Sequence, residues 1–200
     1  MNNNRIRYKQ RDFNLNDIEE LNDLNWTLEK YGCGPTSIAN VLVNLGFDIN
    51  PVDTAKKILF DKNGRFDTTY LRNKGINSDG IIYCLERLKK EDKFDICYET
   101  IKIDFLNPSN KKEEIISFVK NGYMAIIHIG PSENSPLTFS KNGHYLVISD
   151  IDKNNNFYVI NSNKIGDKQI GIPFDYDTII KNMIGRKDSF NFLLIKRSSK

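Results

Sequence analysis

The chain has 200 residues, of which 39% are apolar and 28% charged, with a formal net charge of +3. That length suits one domain with a sizeable core, and the balance of apolar and charged residues excludes wholesale disorder. Lysine and arginine are interspersed with aspartate and glutamate, so there is no basic footprint for nucleic acid. The three cysteines, Cys33, Cys84 and Cys97, have neither the even count nor the spacing of a disulfide framework. Close Cys or His pairs are missing too, so neither a metal nor a cofactor is expected. The N-terminus lacks the apolar stretch of a signal peptide, and no run is long enough to span a membrane. The expected location is cytoplasmic.

Residues 1–16 are polar and read as an arm free to move, ahead of one domain over 17–200. Asp17–Glu29 has helical composition without firm stops. Ile38, Val41, Leu42 and Leu45 recur at helical spacing after Gly32-Cys-Gly-Pro-Thr-Ser37, and Gly46 supplies a stop. Pro35 suits a first helical turn. Asn50-Pro51 opens a second helix to about Asp61, and Ser78 or Asp79 a third to about Lys90, with Ile81, Cys84, Leu85 and Leu88 on its apolar face.

The period then changes. Phe94–Ile103 reads as a strand, Lys111–Asn121 as a helix closed by Gly122, and Tyr123–Ile129 as a strand buried on both faces. Gly130–Gly143 is a long loop. His144–Asp150 and Phe157–Asn161 form a hairpin, Ile170–Pro173 a short strand, Asp175–Ile184 a helix and Phe190–Lys196 a last strand. Helices first and antiparallel strands later define an α+β fold, with helices packed on a C-terminal antiparallel sheet.

Cys33 lies between two glycines where a buried helix begins. A helix N-terminus lowers a thiol's pKa, and flanking glycines keep backbone N–H groups open to a developing oxyanion. The alternative is a small residue buried in a tight turn. A thiol nucleophile needs a base, and the chain offers two histidines. His128 is embedded in the apolar strand and reads as a core or edge histidine. His144 opens a strand beside a long loop, where side chains reach a cleft. Across the hairpin His144 faces Asn161, Asn163 or a diagonal neighbour. Asn161 ends an apolar strand, and its carbonyl suits one imidazole nitrogen while the other stays free for the thiol. A strand-ending asparagine in an Asn-rich chain is the competing reading. Cys84 and Cys97 read as core positions.

Gly32-Cys-Gly-Pro-Thr-Ser37 running into a helix, then Gly143-His-Tyr-Leu-Val-Ile148 and Val159-Ile-Asn-Ser162, resembles the C39-like group of papain-fold cysteine peptidases. The order Cys, His, Asn or Asp is that group's order. The resemblance covers about Trp26 to the C-terminus. It implies a papain-like fold and a stand-alone domain without transporter segments. It also implies hydrolysis of a peptide or isopeptide bond in a peptide or protein substrate, by a thiolate–imidazolium pair through an acyl-enzyme. The group's upstream glutamine, which completes the oxyanion hole, has no counterpart between Asp12 and Cys33. Asn22 and Asn25 are the candidates to replace it, and Gln10 could fold back. A catalytically weak peptide-binding module, or an acyl-transferase or deamidase using the same residues, are the competing functions.

Overall fold

The computed structural model describes residues 5–13, 15, 19–130, 139, 140, 142–183 and 188–198. The expected helix over Asp17–Glu29 is two short ones, α1 (Glu19–Asp23) and α2 (Leu28–Tyr31). Asn25 separates them at φ +49°, and the Thr27 side chain caps α2 by accepting from the Lys30 N–H. Helix α3 (Cys33–Asn44) begins at the cysteine itself. Ile38, Val41 and Leu42 are fully buried on it, each worth roughly 1.5–3 kcal/mol of transfer free energy. It ends in a Schellman motif. Gly46 takes φ +87°, the Phe47 N–H bonds to Leu42 O at 3.0 Å and the Gly46 N–H to Val43 O at 3.1 Å. Asn50 and Asp53 form a capping box on α4 (Pro51–Leu59).

Between α4 and α5 (Ser78–Lys89) lies a small hairpin that the sequence pattern did not reveal, β1 (Leu71–Arg72) and β2 (Gly75–Ile76). Its turn residues, Asn73 and Lys74, both take positive φ, as a tight two-residue hairpin demands. The remaining elements are β3 (Ile96–Ile101), α6 (Lys112–Lys120), β4 (Met124–Ile129), β5 (His144–Ile151), β6 (Phe157–Ile160), β7 (Pro173–Phe174), α7 (Tyr176–Met183) and β8 (Phe192–Arg197). Each lies within two residues or so of its expected bounds, except that the strand sought at Ile170–Pro173 forms at Pro173–Phe174.

Strands β3 to β8 make one antiparallel sheet in the order β3-β8-β4-β5-β6-β7. Side chains of β4 alternate between two cores. Met124 and Ile126 join α3, α4 and α5 on one face, while Ala125, Ile127 and Ile129 join α6 and α7 on the other. Burial on both faces explains the nearly unbroken apolar run of β4.

The N-terminal segment departs from expectation. Residues 5–13 do not stand apart from the domain but pack across it. Asn40 and Asn44, one turn apart on α3, hold its backbone. Tyr8 N–H donates to Asn40 Oδ1 at 2.6 Å and Ile6 N–H to Asn44 Oδ1 at 2.9 Å. The same amides donate back to Tyr8 O at 3.2 Å and Ile6 O at 2.7 Å. No apolar period announced this contact, because polar side chains and main chain make it.

Candidate active site

The hairpin expected from β5 and β6 is present, with Val147 opposite Ile160 and a register shift between Ile148 and Asp150. Beyond the end of β6 this register carries Asn161 to the diagonal of His144. His144 Nε2 and Asn161 Oδ1 are 2.9 Å apart. Asn161 can only accept through Oδ1, so Nε2 carries the proton and Nδ1 is left as the basic nitrogen. Asn161 is itself fixed: its Nδ2 donates to Phe139 O at 3.0 Å and to Gln169 Oε1 at 2.8 Å. All three side chains, His144, Asn161 and Gln169, are buried. Gln169 carried no sequence signal. It is an isolated polar residue in a loop, and only the three-dimensional path brings it to Asn161.

Cys33 occupies the first turn of α3. Its sulfur faces the backbone N–H groups of Cys33, Gly34 and Tyr145. The Tyr145 contact places the thiol against the strand position that follows His144. Those N–H groups pull the thiol's pKa down, but burial pushes it up more strongly, and the net direction is up. The first-turn N–H groups thus act in the expected downward direction, against a larger push from burial. His144 moves the opposite way. Burial lowers its pKa to about 4, opposed by the Asn161 bond and assisted by the charge of His128. Each charge of a thiolate–imidazolium pair is therefore disfavoured singly by the same desolvation.

The flanking glycines also have a packing role. Both are buried. A Cβ on Gly32 would lie 2.6 Å from Leu28 O, and one on Gly34 would lie 3.3 Å from Ile76 Cβ. They allow close packing of the turn that carries Cys33.

The other candidates have defined places. Asn22 and Asn25 are exposed, on α1 and in the turn after it, and Asn25 Oδ1 accepts from Lys30 Nζ at 3.2 Å. Gln10 is buried and does fold back. Its Nε2 donates to Leu28 O at 3.1 Å and to Glu29 O at 3.5 Å, and its Oε1 accepts from Ser162 Oγ at 3.0 Å. Gln10 thus bridges the segment leading into Cys33 and the residue after Asn161. His128 pairs with Asp188, Nδ1 to Oδ2 at 2.7 Å, and its ring stacks on Tyr145 at 4.2 Å. Cys84 is fully buried, which pushes its thiol up to about 12. Cys97 is only half-buried, on the edge strand β3. Of the long loop before His144, residues 131–138 and 141 lie outside the described residues. Among the described residues no three His, Cys, Asp or Glu side chains gather where a metal ion could be held, and no helix is long and apolar enough to cross a membrane.

Gly166 closes the loop under Asn161. A Cβ there would sit 2.1 Å from Asn161 O and 2.6 Å from Arg7 Nη2. Gly166→Ala is expected to lower stability by about 1–3 kcal/mol through overpacking. It should also disturb the His144–Asn161 bond. Urea denaturation, together with the imidazole nitrogen resonances of His144, checks both effects.

The helices-then-sheet architecture, with a cysteine opening a helix against a strand that starts with histidine, is that of papain-like peptidases. The chain belongs to the Peptidase_C39 like family, which matches residues 6–182. Among solved structures it is similar to one described as a C39-like peptidase from Bacillus anthracis, at 16% identity and a TM-score of 0.58, covering 100% of this chain and 98% of that one. It is also similar to the peptidase domain of Streptococcus ComA, a bi-functional ABC transporter of a quorum-sensing pathway. There the identity is 15% and the TM-score 0.51, with 86% of this chain and 93% of that one covered. At such identities the likeness speaks for the fold. No curated protein matches the chain.

Proposed function

We propose that the protein is a cysteine hydrolase that cleaves a peptide, isopeptide or related amide bond, with Cys33 as nucleophile, His144 as general base and Asn161 as the group that orients the base. The observation that carries this reading is the 2.9 Å contact of His144 Nε2 with Asn161, which commits the other ring nitrogen to the role of base. The Tyr145 N–H at the Cys33 sulfur supports the placement of the nucleophile beside it.

With burial opposing both charges, the proton moves as the bond forms. His144 Nδ1 takes the thiol proton while Sγ attacks the carbonyl carbon. The oxyanion meets the Cys33 N–H, which faces the sulfur at rest. His144 then gives the proton to the leaving amine nitrogen, and the C–N bond breaks to leave a thioester. Water attacks the thioester, His144 takes its proton, and the thiol is restored with release of the acid. The test is hydrolysis of a peptide library by the wild type and by Cys33→Ala. Unchanged cleavage by the variant would sink the assignment. An acyl-transferase or deamidase would share the first half of this path, and product analysis separates them.

Gln10 is the better placed second oxyanion donor, because it is buried beside the segment entering Cys33 whereas Asn22 and Asn25 are exposed. Its bond to Glu29 O, at 3.5 Å, is the weak one and can be exchanged for substrate. Gln10→Ala is expected to lower kcat by on the order of 10²–10³, and Asn22→Ala and Asn25→Ala to leave it unaltered. Steady-state kinetics on the three variants decides between them.

The upward push on the thiol and the downward push on the imidazole favour one rival, a peptide-binding module without turnover. That reading requires a cysteine whose alkylation is indifferent to His144.

A further inference from the structure

We infer that Arg7 is a positioning residue for the His144–Asn161 pair, and that residues 6–10 form a strap setting the nucleophile's helix against the base's strand. The inference rests on the proposed roles of Cys33, His144 and Asn161 and adds to them a residue outside the site. Arg7 reaches from the strap to the main chain around Asn161. Its Nε donates to Asn161 O at 2.7 Å and its Nη2 to Asn163 O at 2.8 Å. Its Nη1 binds Asp167 Oδ1 at 2.5 Å. The guanidinium is planar and forked, so its three bonds fix two carbonyls and one carboxylate relative to each other. The side chain is only 12% exposed, which makes the arrangement a built one rather than a surface ion pair.

Asp167 is the anchor. Lys9 Nζ at 2.9 Å and Arg11 Nη2 at 3.2 Å also reach it, and Arg7 first, then Lys9, hold its carboxyl well below the usual range. Gly166, one residue earlier, has room for no Cβ because Asn161 O and Arg7 Nη2 fill that space. The turn and the guanidinium are therefore fitted to each other.

Successive residues of the strap address opposite walls. Ile6 and Tyr8 bind α3 through Asn44 and Asn40, while Arg7 between them binds the loop after β6. Gln10 then joins Leu28 O to Ser162 Oγ. Helix α3 carries Cys33, and the loop after β6 carries Asn161. The strap thus ties the two walls on which the reacting side chains stand. Misplacing such groups by about 1 Å costs on the order of 10² in rate.

The test uses the full chain with Arg7→Ala, Arg7→Lys and, as a control, Arg5→Ala. Arg5 removes the same charge from the same segment but contacts Ser149 O and Asp150. Two readouts are taken. One is the tautomer of His144 by imidazole nitrogen NMR, with His128→Gln used to assign the two histidines. The other is kcat and KM separately. The wild type and Arg5→Ala should hold His144 with its proton on Nε2. Arg7→Ala should lose that preference and drop kcat by on the order of 10² with KM little changed. Arg7→Lys keeps the charge for Asp167 but cannot span both carbonyls. It should fold and show the same defect, which covers the case where Arg7→Ala does not fold. An unchanged tautomer and kcat in a folded Arg7→Lys overturns the positioning role. If the wild type has no hydrolytic activity while the tautomer still depends on Arg7, the positioning stands and the proposed hydrolysis fails.

Discussion

Cys33→Ala should abolish hydrolysis, with kcat falling by on the order of 10⁵–10⁶, and His144→Ala should fall nearly as far. A nucleophile and its base act as one unit, so the double variant should be no worse than either single one. The geometry gives the reason. The sulfur of the half-buried Cys33 sits among three backbone N–H groups, and desolvation pushes its pKa up. Without Nδ1 of His144 the proton has nowhere to go when Sγ attacks. Alkylation by iodoacetamide across roughly pH 4 to 9 reads this before any substrate is known. A neutral resting pair gives a rate that climbs with pH and falls in His144→Ala. A plateau reaching far below the free-thiol value of about 8.5 would instead show a pair already charged at rest, mutual attraction having outweighed burial. A profile identical in wild type and His144→Ala would favour the binding-module reading.

Acid should destabilise the fold in a window that His144 sets. Burial lowers the folded pKa of His144 to about 4 from the ordinary histidine value of 6.5, so between these values the unfolded chain binds more protons. Stability is therefore complete above pH 6.5, declines as pH falls through the window, and has lost this contribution in full somewhat below pH 4. The difference corresponds to about 3 kcal/mol. The carboxylates with lowered values, Asp61, Asp67, Asp152, Asp167 and Asp175, act in the same sense but in a lower window. They add stability above the ordinary carboxylate range and lose it only at still lower pH, so the two effects separate. Urea denaturation at pH 7 and pH 4.5 should show a loss in the wild type that His144→Gln lacks. Equal losses in both would mean that His144 is not buried and neutral in solution.

Most of the framework could be read from the chain because burial imposes a period. Ile38, Val41 and Leu42 marked α3, the apolar run at 124–129 marked a strand covered on both faces, and Gly46 and Gly122 marked stops that take positive φ. Hairpin register narrowed the partner of His144 to Asn161, Asn163 or a diagonal neighbour, and the shift between Ile148 and Asp150 moved the pairing by one residue without taking Asn161 out of reach. What escaped was held by polar groups without a period. Gln169, Arg7 and the Asn40–Asn44 pair act on single backbone atoms, and nothing in local sequence says which atom. The small hairpin at 71–76 was hidden because its turn residues, Asn73 and Lys74, take positive φ without glycine. The single helix expected over Asp17–Glu29 broke at Asn25 for the same reason.

The way α3 holds residues 6 and 8 has a further consequence. Each asparagine amide turns one acceptor and one donor toward the segment, the complement of a peptide unit. The helix therefore grips the segment as a neighbouring strand would, by its peptide groups and with no regard for the side chains there. Ile6 and Tyr8 are free to change identity while the grip persists, provided that neither becomes proline, which has no N–H to give. Asn40 and Asn44 have no such freedom. Conversion of either to aspartate, by mutation or by slow deamidation, keeps the acceptor and removes the donor, leaving a carboxylate facing a carbonyl. The durability of the strap would then be set by the chemical ageing of two amides on the helix that carries Cys33.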